Sequence, residues 1–448
     1  MPDSVHVNEG QPAEQQLRRS QAAIIRVAAC WSLWSATTLG NVASLFIMRL
    51  GGQEFHVGLV SALSQGSWWA QLAGLKLLPR FGKVGLALMG RLGAAGMMLF
   101  LMGLAVGGAG LRPTAAVTLA LLIYGVMMIV HTTGGTGWWP LLQDNSSEGE
   151  VGAFFARIRR WLRLVEIVMP VAVGTYLGGQ PQPARFLAPF GVGLAAILTG
   201  AYLVRRVRER PTEDLGVPLL IRLRLAARIP SIRRYLVFVF QLNFLVGMVA
   251  PLWAAMFKKH LDLPSSFIVL LGSFIAVGHL SGLRLWARMV DRHGGRSVLT
   301  FSLFGTSLLG LSWLGLPREA TYAMVWGVGF FLLWGFFEGG IMMGRSTAML
   351  SAVPAVYQSN GLTLAMITWA TGGALGSLVG GAVFQWIAAM RASVAGIDAK
   401  LLYLAGVQVL MLLSWLPSRR LHGHVHQTPT RQLMAAVWQR MIDRFRPR

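Results

Sequence analysis

The sequence predicts an all-α membrane protein: twelve transmembrane helices in two six-helix bundles, with both termini cytoplasmic. Three observations carry this expectation. First, 54% of the 448 residues are hydrophobic and only 13% are charged, against roughly 25% charged in a soluble domain; the mean hydropathy is +0.56. Second, residues 27–48, 235–257, 297–317 and 360–390 contain no Asp, Glu, Lys or Arg, and a bilayer span needs about 20 such residues at about 1.5 Å each. Third, the basic residues gather in alternate loops between the apolar runs.

In chain order, the expected spans are 27–48, 56–78, 84–107, 114–137, 161–180, 186–204, 235–257, 264–286, 297–316, 321–344, 360–386 and 401–418. They are preceded by a polar tail, 1–26, whose first apolar run is long enough to act as a signal anchor. With the N-terminus inside, 31 of the 40 Lys and Arg fall on the cytoplasmic side, eight fall outside, and Arg91 lies within a span. This is the asymmetry of the positive-inside rule. The net charge of +23 therefore reads as membrane orientation and not as nucleic-acid binding.

Residues 205–234 carry nine arginines and divide the chain into an N-terminal bundle, 27–204, and a C-terminal bundle, 235–418. This basic linker and the tail 419–448 both have an amphipathic stretch suited to the anionic inner leaflet. In the tail, Met434, Trp438, Met441, Ile442 and Phe445 share one helical face. Its His422, His424 and His426 are a weak metal motif, and no metal or other cofactor is expected. The single cysteine, Cys30, excludes an intramolecular disulfide.

The halves echo one another. LKLLPRFGKV (75–84) follows the second span, and ARMVDRHGGR (287–296) follows the eighth. Span five holds Pro170, Gly174 and Gly178, and span eleven holds Gly372, Gly376 and Gly380 at the same four-residue spacing, which lets helix backbones approach closely. Internal six-span repeats occur in many transporters.

These loops resemble the G-x-L-a-D-R-x-G-[RK]-[RK] motif of the major facilitator superfamily. In the second copy Asp291, Arg292, Gly294 and Arg296 match. In the first, Arg80, Gly82 and Lys83 match, while Pro79 stands where the aspartate belongs. The resemblance extends over essentially the whole chain and implies that fold, with transport by alternating access between the two bundles. It implies that Asp291 holds the cytoplasmic face shut in one conformation, with Arg345 at the end of span ten as a partner. A carboxylate facing a helix N-terminus gains roughly 0.3–2 kcal/mol. With the first aspartate lost, the N-terminal gate is expected to rest on Asp144 and Glu148 facing Arg157, Arg159 and Arg160.

Ionisable residues inside spans are functional candidates. Glu338, about 10 Å inside span ten at ~1.5 Å per residue before Arg345, is the first choice for binding a proton or a cationic solute. Glu166 in span five has Arg163 at i−3 and is equally explained by a local ion pair. Arg91 in span three can snorkel to the inner interface. Among neutral groups, Asn41, His131, Gln241, Asn243 and His279 lie on spans that line the cavity in the resembled fold; each is also a plain packing residue in the alternative reading. His279 stands out because imidazole titrates near neutral pH.

No phosphate-binding loop and no Ser/His/Asp or metal-ligand cluster is present, so neither ATP hydrolysis nor enzymatic catalysis is expected. The expectation is a monomeric secondary transporter of a small solute, proton-coupled, in a bacterial inner membrane. Its competitor is a non-transporting assembly factor or sensor on the same fold, compatible with the aspartate missing at Pro79.

Overall fold

A computed structural model of the chain describes residues 10–145, 151–210, 219–352, 358–390, 393–394 and 397–419. The structure is all-α apart from one two-residue antiparallel pair, β1 (Ser393–Val394) with β2 (Ile397–Asp398). The helices are α1 (Gly10–Thr38), α2 (Gly40–Arg49), α3 (Glu54–Gly66), α4 (Gln71–Gly107), α5 (Pro113–Gly135), α6 (Trp138–Asp144), α7 (Val151–Leu177), α8 (Leu187–Val204) and α9 (Leu219–Arg228). They continue as α10 (Pro230–Val249), α11 (Leu252–Ala255), α12 (Ser265–His293), α13 (Gly295–Gly310), α14 (Ala320–Ala352), α15 (Gln358–Met390), α16 (Ala399–Leu410) and α17 (Trp415–Ser418).

Ten stretches among the described residues are long and apolar enough to cross a membrane. One of them, Glu54–Gly107, spans two expected crossings and is broken within α4 at Gly82 (φ 71°, ψ 172°). The expected span 161–180 falls largely on α7, which is not among the ten; Arg160, Arg163 and Glu166 lower its hydropathy. The chain is a multi-pass membrane protein.

Two compact units form. Unit 1 contains residues 1–42, 67–169 and 182–215. Its core joins Ile24 and Val27 of α1 to Ala87 of α4, Leu141 and Leu142 of α6, Phe154 and Ile158 of α7, and Val204 of α8. Glycine sets the helix spacing: a Cβ on Gly90 of α4 would lie 2.5 Å from the Gly134 Cα of α5.

Unit 2 contains residues 43–66, 170–181 and 216–448, so it takes α3 and the end of α7 from the first half of the chain. Helix α7 is divided between the units at Pro170, a residue that supplies no backbone donor to the helix. In unit 2, α15 is packed on two sides through small residues. A Cβ on Gly372 would lie 2.5 Å from the Phe240 carbonyl oxygen of α10, and Gly376 and Gly380 meet the Phe244 and Met248 carbonyls as closely or more so. The neighbouring stripe, Gly373, Ser377 and Gly381, faces α3. There Ser61 and Ser377 share a hydrogen bond of 2.9 Å, and a Cβ on Gly58 would lie 3.0 Å from the Gly381 Cα.

Candidate functional site

The packing of α12 on α14 brings two of the sequence candidates together. Glu338 Oε2 lies 3.2 Å from His279 Nε2. The approach depends on glycine: Gly278 and Gly335 sit against the Leu332 and Ile275 carbonyls of the opposite helix, where a Cβ has no room. The His279 side chain is 12% exposed and that of Glu338 is 42% exposed, so the pair has one covered face and one open face. A carboxylate and an imidazole at this separation can pass or share a proton.

A second polar group lies between α3, α10 and α15. Asn243, 6% exposed, donates from Nδ2 to Gln65 Oε1 at 3.2 Å and to the Trp369 carbonyl at 2.6 Å. Gln65 was not anticipated from sequence, although a glutamine within the apolar run LVSALSQGSWW was a signal for it. Its amide occupies the space that a Cβ on Gly373 would take. The Trp369 ring in turn carries the Arg345 guanidinium 5.6 Å from its centroid. Arg345 is thus held on an aromatic face. Asp291 is exposed at the end of α12, and among the described residues its carboxylate forms no ion pair with Arg345.

The remaining candidates have other surroundings. Glu166 pairs with Arg163 at 2.7 Å, one helical turn away. Arg91 is buried, donates to its own helix at Ala87 O (2.9 Å) and lies 5.7 Å over the Trp138 ring. His131 packs against Trp34 with centroids 4.4 Å apart. Asn41 and Gln241 are half-buried on α2 and α10.

The two motif loops share a backbone conformation. Gly82 (φ 71°, ψ 172°) and Gly294 (φ 79°, ψ 155°) occupy a region essentially restricted to glycine. This is the match that the sequence repeat implied. Arg292 is exposed beside Gly294, and Arg296 is half-buried in the first turn of α13.

At the first loop, Arg80 lies over Phe81, and the carboxylate missing at Pro79 is supplied from elsewhere. Glu209 accepts from the Lys83 and Val84 backbone N–H groups, the latter at 3.2 Å. Lys83 Nζ reaches Asp144 Oδ2 at 2.6 Å and the Arg210 carbonyl at 3.0 Å. Asp144 therefore pairs with Lys83 and not with Arg157, which is exposed on α7; the fold brings α4 and α6 together, and the Lys83 side chain spans that contact. Glu148 and the tail histidines lie outside the described residues.

A third polar group occupies the end of unit 2 where α3, α12 and α16 begin. Glu54 Oε1 lies 3.6 Å from Lys259 Nζ and 3.5 Å from His260 Nε2, with Lys400 Nζ 3.2 Å from His260 Nδ1. Gln385 donates to Gln53 Oε1 at 2.8 Å and accepts from the Phe55 N–H at 3.2 Å. Residues 256–260 form a single π-helical turn, which brings Lys259 and His260 into this group while Lys258 turns to Asp262 at 3.7 Å; such turns recur at functional positions.

No protein-family model matches the sequence, and no curated relative matches it. Solved structures are similar in shape. The nucleoside transporter NupG superposes with a TM-score of 0.62 at 14% identity, covering 90% of this chain and 99% of that one. A POT family transporter in complex with 5-aminolevulinic acid gives 0.64 at 11%, covering 89% and 95%. A bacterial homologue of the iron transporter ferroportin, in an inward-facing state, gives 0.63 at 14%, covering 91% and 98%. At these identities the likeness speaks for architecture alone, and it shows that this chain has the major facilitator fold.

Proposed function

We propose that this protein is a secondary active transporter that moves a small solute across a bacterial inner membrane by alternating access, coupled to protons. The chain would cross the membrane twelve times as two six-span bundles, with both termini cytoplasmic, and would work as a monomer. The observation that carries the reading is the Glu338–His279 pair, a carboxylate and an imidazole 3.2 Å apart on two helices that are each long and apolar enough to cross a membrane. Ionisable groups at such depth are costly and mark ion or solute pathways. Asn243 and Gln65, tied to α15 through the Trp369 carbonyl, supply neutral hydrogen-bonding groups for the solute. The likeness to proteins named as nucleoside, POT family and iron transporters supports transport as the activity and does not choose among solutes.

The test has two stages. Purified protein is screened for thermal stabilisation by nucleosides, short peptides, amino acids and divalent metals, since a solute at a hundred times its Kd stabilises the folded state by about 2.7 kcal/mol. The stabilising solute is then added to proteoliposomes containing a pH-sensitive dye. Wild-type vesicles should show proton movement with the solute, whereas Glu338→Gln and His279→Gln vesicles should bind solute without that movement. Solute flux with no proton movement in wild type overturns the coupling. A well-folded protein that no solute in the panel stabilises overturns the transport reading in favour of a non-transporting role.

A further inference from the structure

A cleft of about 510 Å³ opens in unit 1 between the start of the membrane-spanning part of α1 and the end of α8. Arg19 and Arg26 of α1 and Arg205, Arg206 and Arg208, just after α8, all line it, and no acidic side chain does so among the described residues. All five arginines are exposed. Arg206 lies over the Tyr202 ring and donates to its hydroxyl. Among the described residues, the guanidinium groups of Arg19, Arg26, Arg205 and Arg208 have no acceptor. The nearest acid in sequence, Glu209, is committed to the Lys83 and Val84 backbone. Five like charges around one concavity repel each other, and a bound anion lessens that repulsion.

We propose that this cleft is a binding site for the phosphate-bearing headgroup of an anionic phospholipid. Guanidinium groups match phosphate oxygens in pairs of hydrogen bonds, and basic pockets at the ends of membrane helices are suited to such headgroups. The surroundings favour a lipid over a free phosphate ester. Tyr202 and Leu198 of α8, 56% and 43% exposed, stand one turn and two turns below Arg206 along the same line. They offer an apolar track for acyl chains directly beneath the cationic rim. Ala22, Ala23 and Leu203 add apolar lining within the cleft.

Occupancy bears on the neighbouring loop. The segment that presents Arg205, Arg206 and Arg208 also holds the turn at Gly82. The Arg208 N–H donates to Ser20 Oγ (2.9 Å), its carbonyl accepts from Asn145 Nδ2 (2.8 Å), and the Arg210 N–H donates to Asp144 (3.1 Å). A lipid phosphate bridging α1 to this segment steadies the Lys83–Asp144–Glu209 group, and its loss lets the five cations push the segment away.

The experiment uses detergent-purified full-length protein. Native mass spectrometry and thermal unfolding are followed on adding phosphatidylglycerol, phosphatidylcholine or soluble sn-glycerol 3-phosphate. Phosphatidylglycerol alone should be retained and should raise the unfolding midpoint. The variant R19Q/R26Q/R205Q/R208Q should bind it more weakly by about fivefold per guanidinium removed. R159Q/R160Q/R284Q/R288Q, which removes the same number of exposed arginines elsewhere, should bind as wild type does. Equal loss in both variants reduces the effect to bulk charge and overturns the site. Equal stabilisation by phosphatidylcholine, or by glycerol phosphate, overturns the anionic lipid as its ligand. Should the quadruple variant not fold, photoreactive phosphatidylglycerol on wild-type protein decides: label on peptides containing residues 16–26 and 203–208 supports the site, and label confined to other segments overturns it.

Discussion

Lys83 and Asp144 show how a residue-scale contact can take over a role that the sequence left vacant. Their side chains are 6% and 12% exposed with an N–O distance of 2.6 Å, so each charge depends on the other for compensation. Breaking a buried pair from one side costs about 3–5 kcal/mol, because the survivor is left unpaired, whereas replacing both partners with apolar groups is often close to neutral. Lys83→Met and Asp144→Leu are therefore expected to destabilise the detergent-purified protein strongly, and the double variant Lys83→Met/Asp144→Leu by much less than their sum. Chemical unfolding of the four proteins gives the coupling energy directly; additive losses would show that the pair does not act as a unit. The sequence places Asp144 at a gate, but opposite Arg157, Arg159 and Arg160. The motif and the acidic residue were visible in the chain, but the pairing depends on α6 meeting the kink of α4, which no local pattern encodes. Glu209 was hidden for the same reason, sitting in a run of arginines that reads as orientation charge alone.

At the scale of elements, α15 is constrained on two sides, because α10 and α3 approach it through adjacent stripes of small residues. The stripe Gly372, Gly376 and Gly380 was legible from its spacing. The stripe Gly373, Ser377 and Gly381 was not, since its partner is an early helix and a serine interrupts the glycines. Gly376 meets the Phe244 carbonyl so closely that a Cβ cannot be placed without moving α10. Overpacking of this kind costs about 1–3 kcal/mol. Gly96 of α4 has nothing within 4 Å of an added Cβ, and there Gly→Ala gains about 0.5–1 kcal/mol from helix propensity and from a less flexible unfolded chain. Gly376→Ala should therefore lower the unfolding midpoint, and Gly96→Ala should leave it unchanged or raise it. A fall of the same size in both would mean that helix–helix distance in unit 2 is not set by these glycines.

At the scale of the whole molecule, composition and the run length of apolar segments were enough to give an all-α membrane chain, because backbone hydrogen bonding inside lipid leaves helices as the solution for such segments. The number of crossings was less legible. Hydropathy does not register a kink such as Gly82 that divides one helical stretch, and it undervalues α7, whose arginines and Glu166 lie on the same helix as its apolar residues. Orientation rests on a separate physical term, the unequal placement of 31 basic residues against eight, and it is open to a direct test. Cys30 is the chain's only cysteine, so Cys30→Ser provides a background free of thiols. Single cysteines are then introduced at the exposed positions Arg112 and Arg318 on one expected side, and Arg205 and Arg292 on the other. In intact cells, a membrane-impermeant maleimide should label Arg112→Cys and Arg318→Cys at once, and should label Arg205→Cys and Arg292→Cys only after permeabilisation. The reverse pattern would invert the molecule and place the arginine-lined cleft against the outer leaflet. Mixed labelling within either pair would mean that the crossings between those positions are miscounted, which is the outcome that would revise the twelve-span proposal itself.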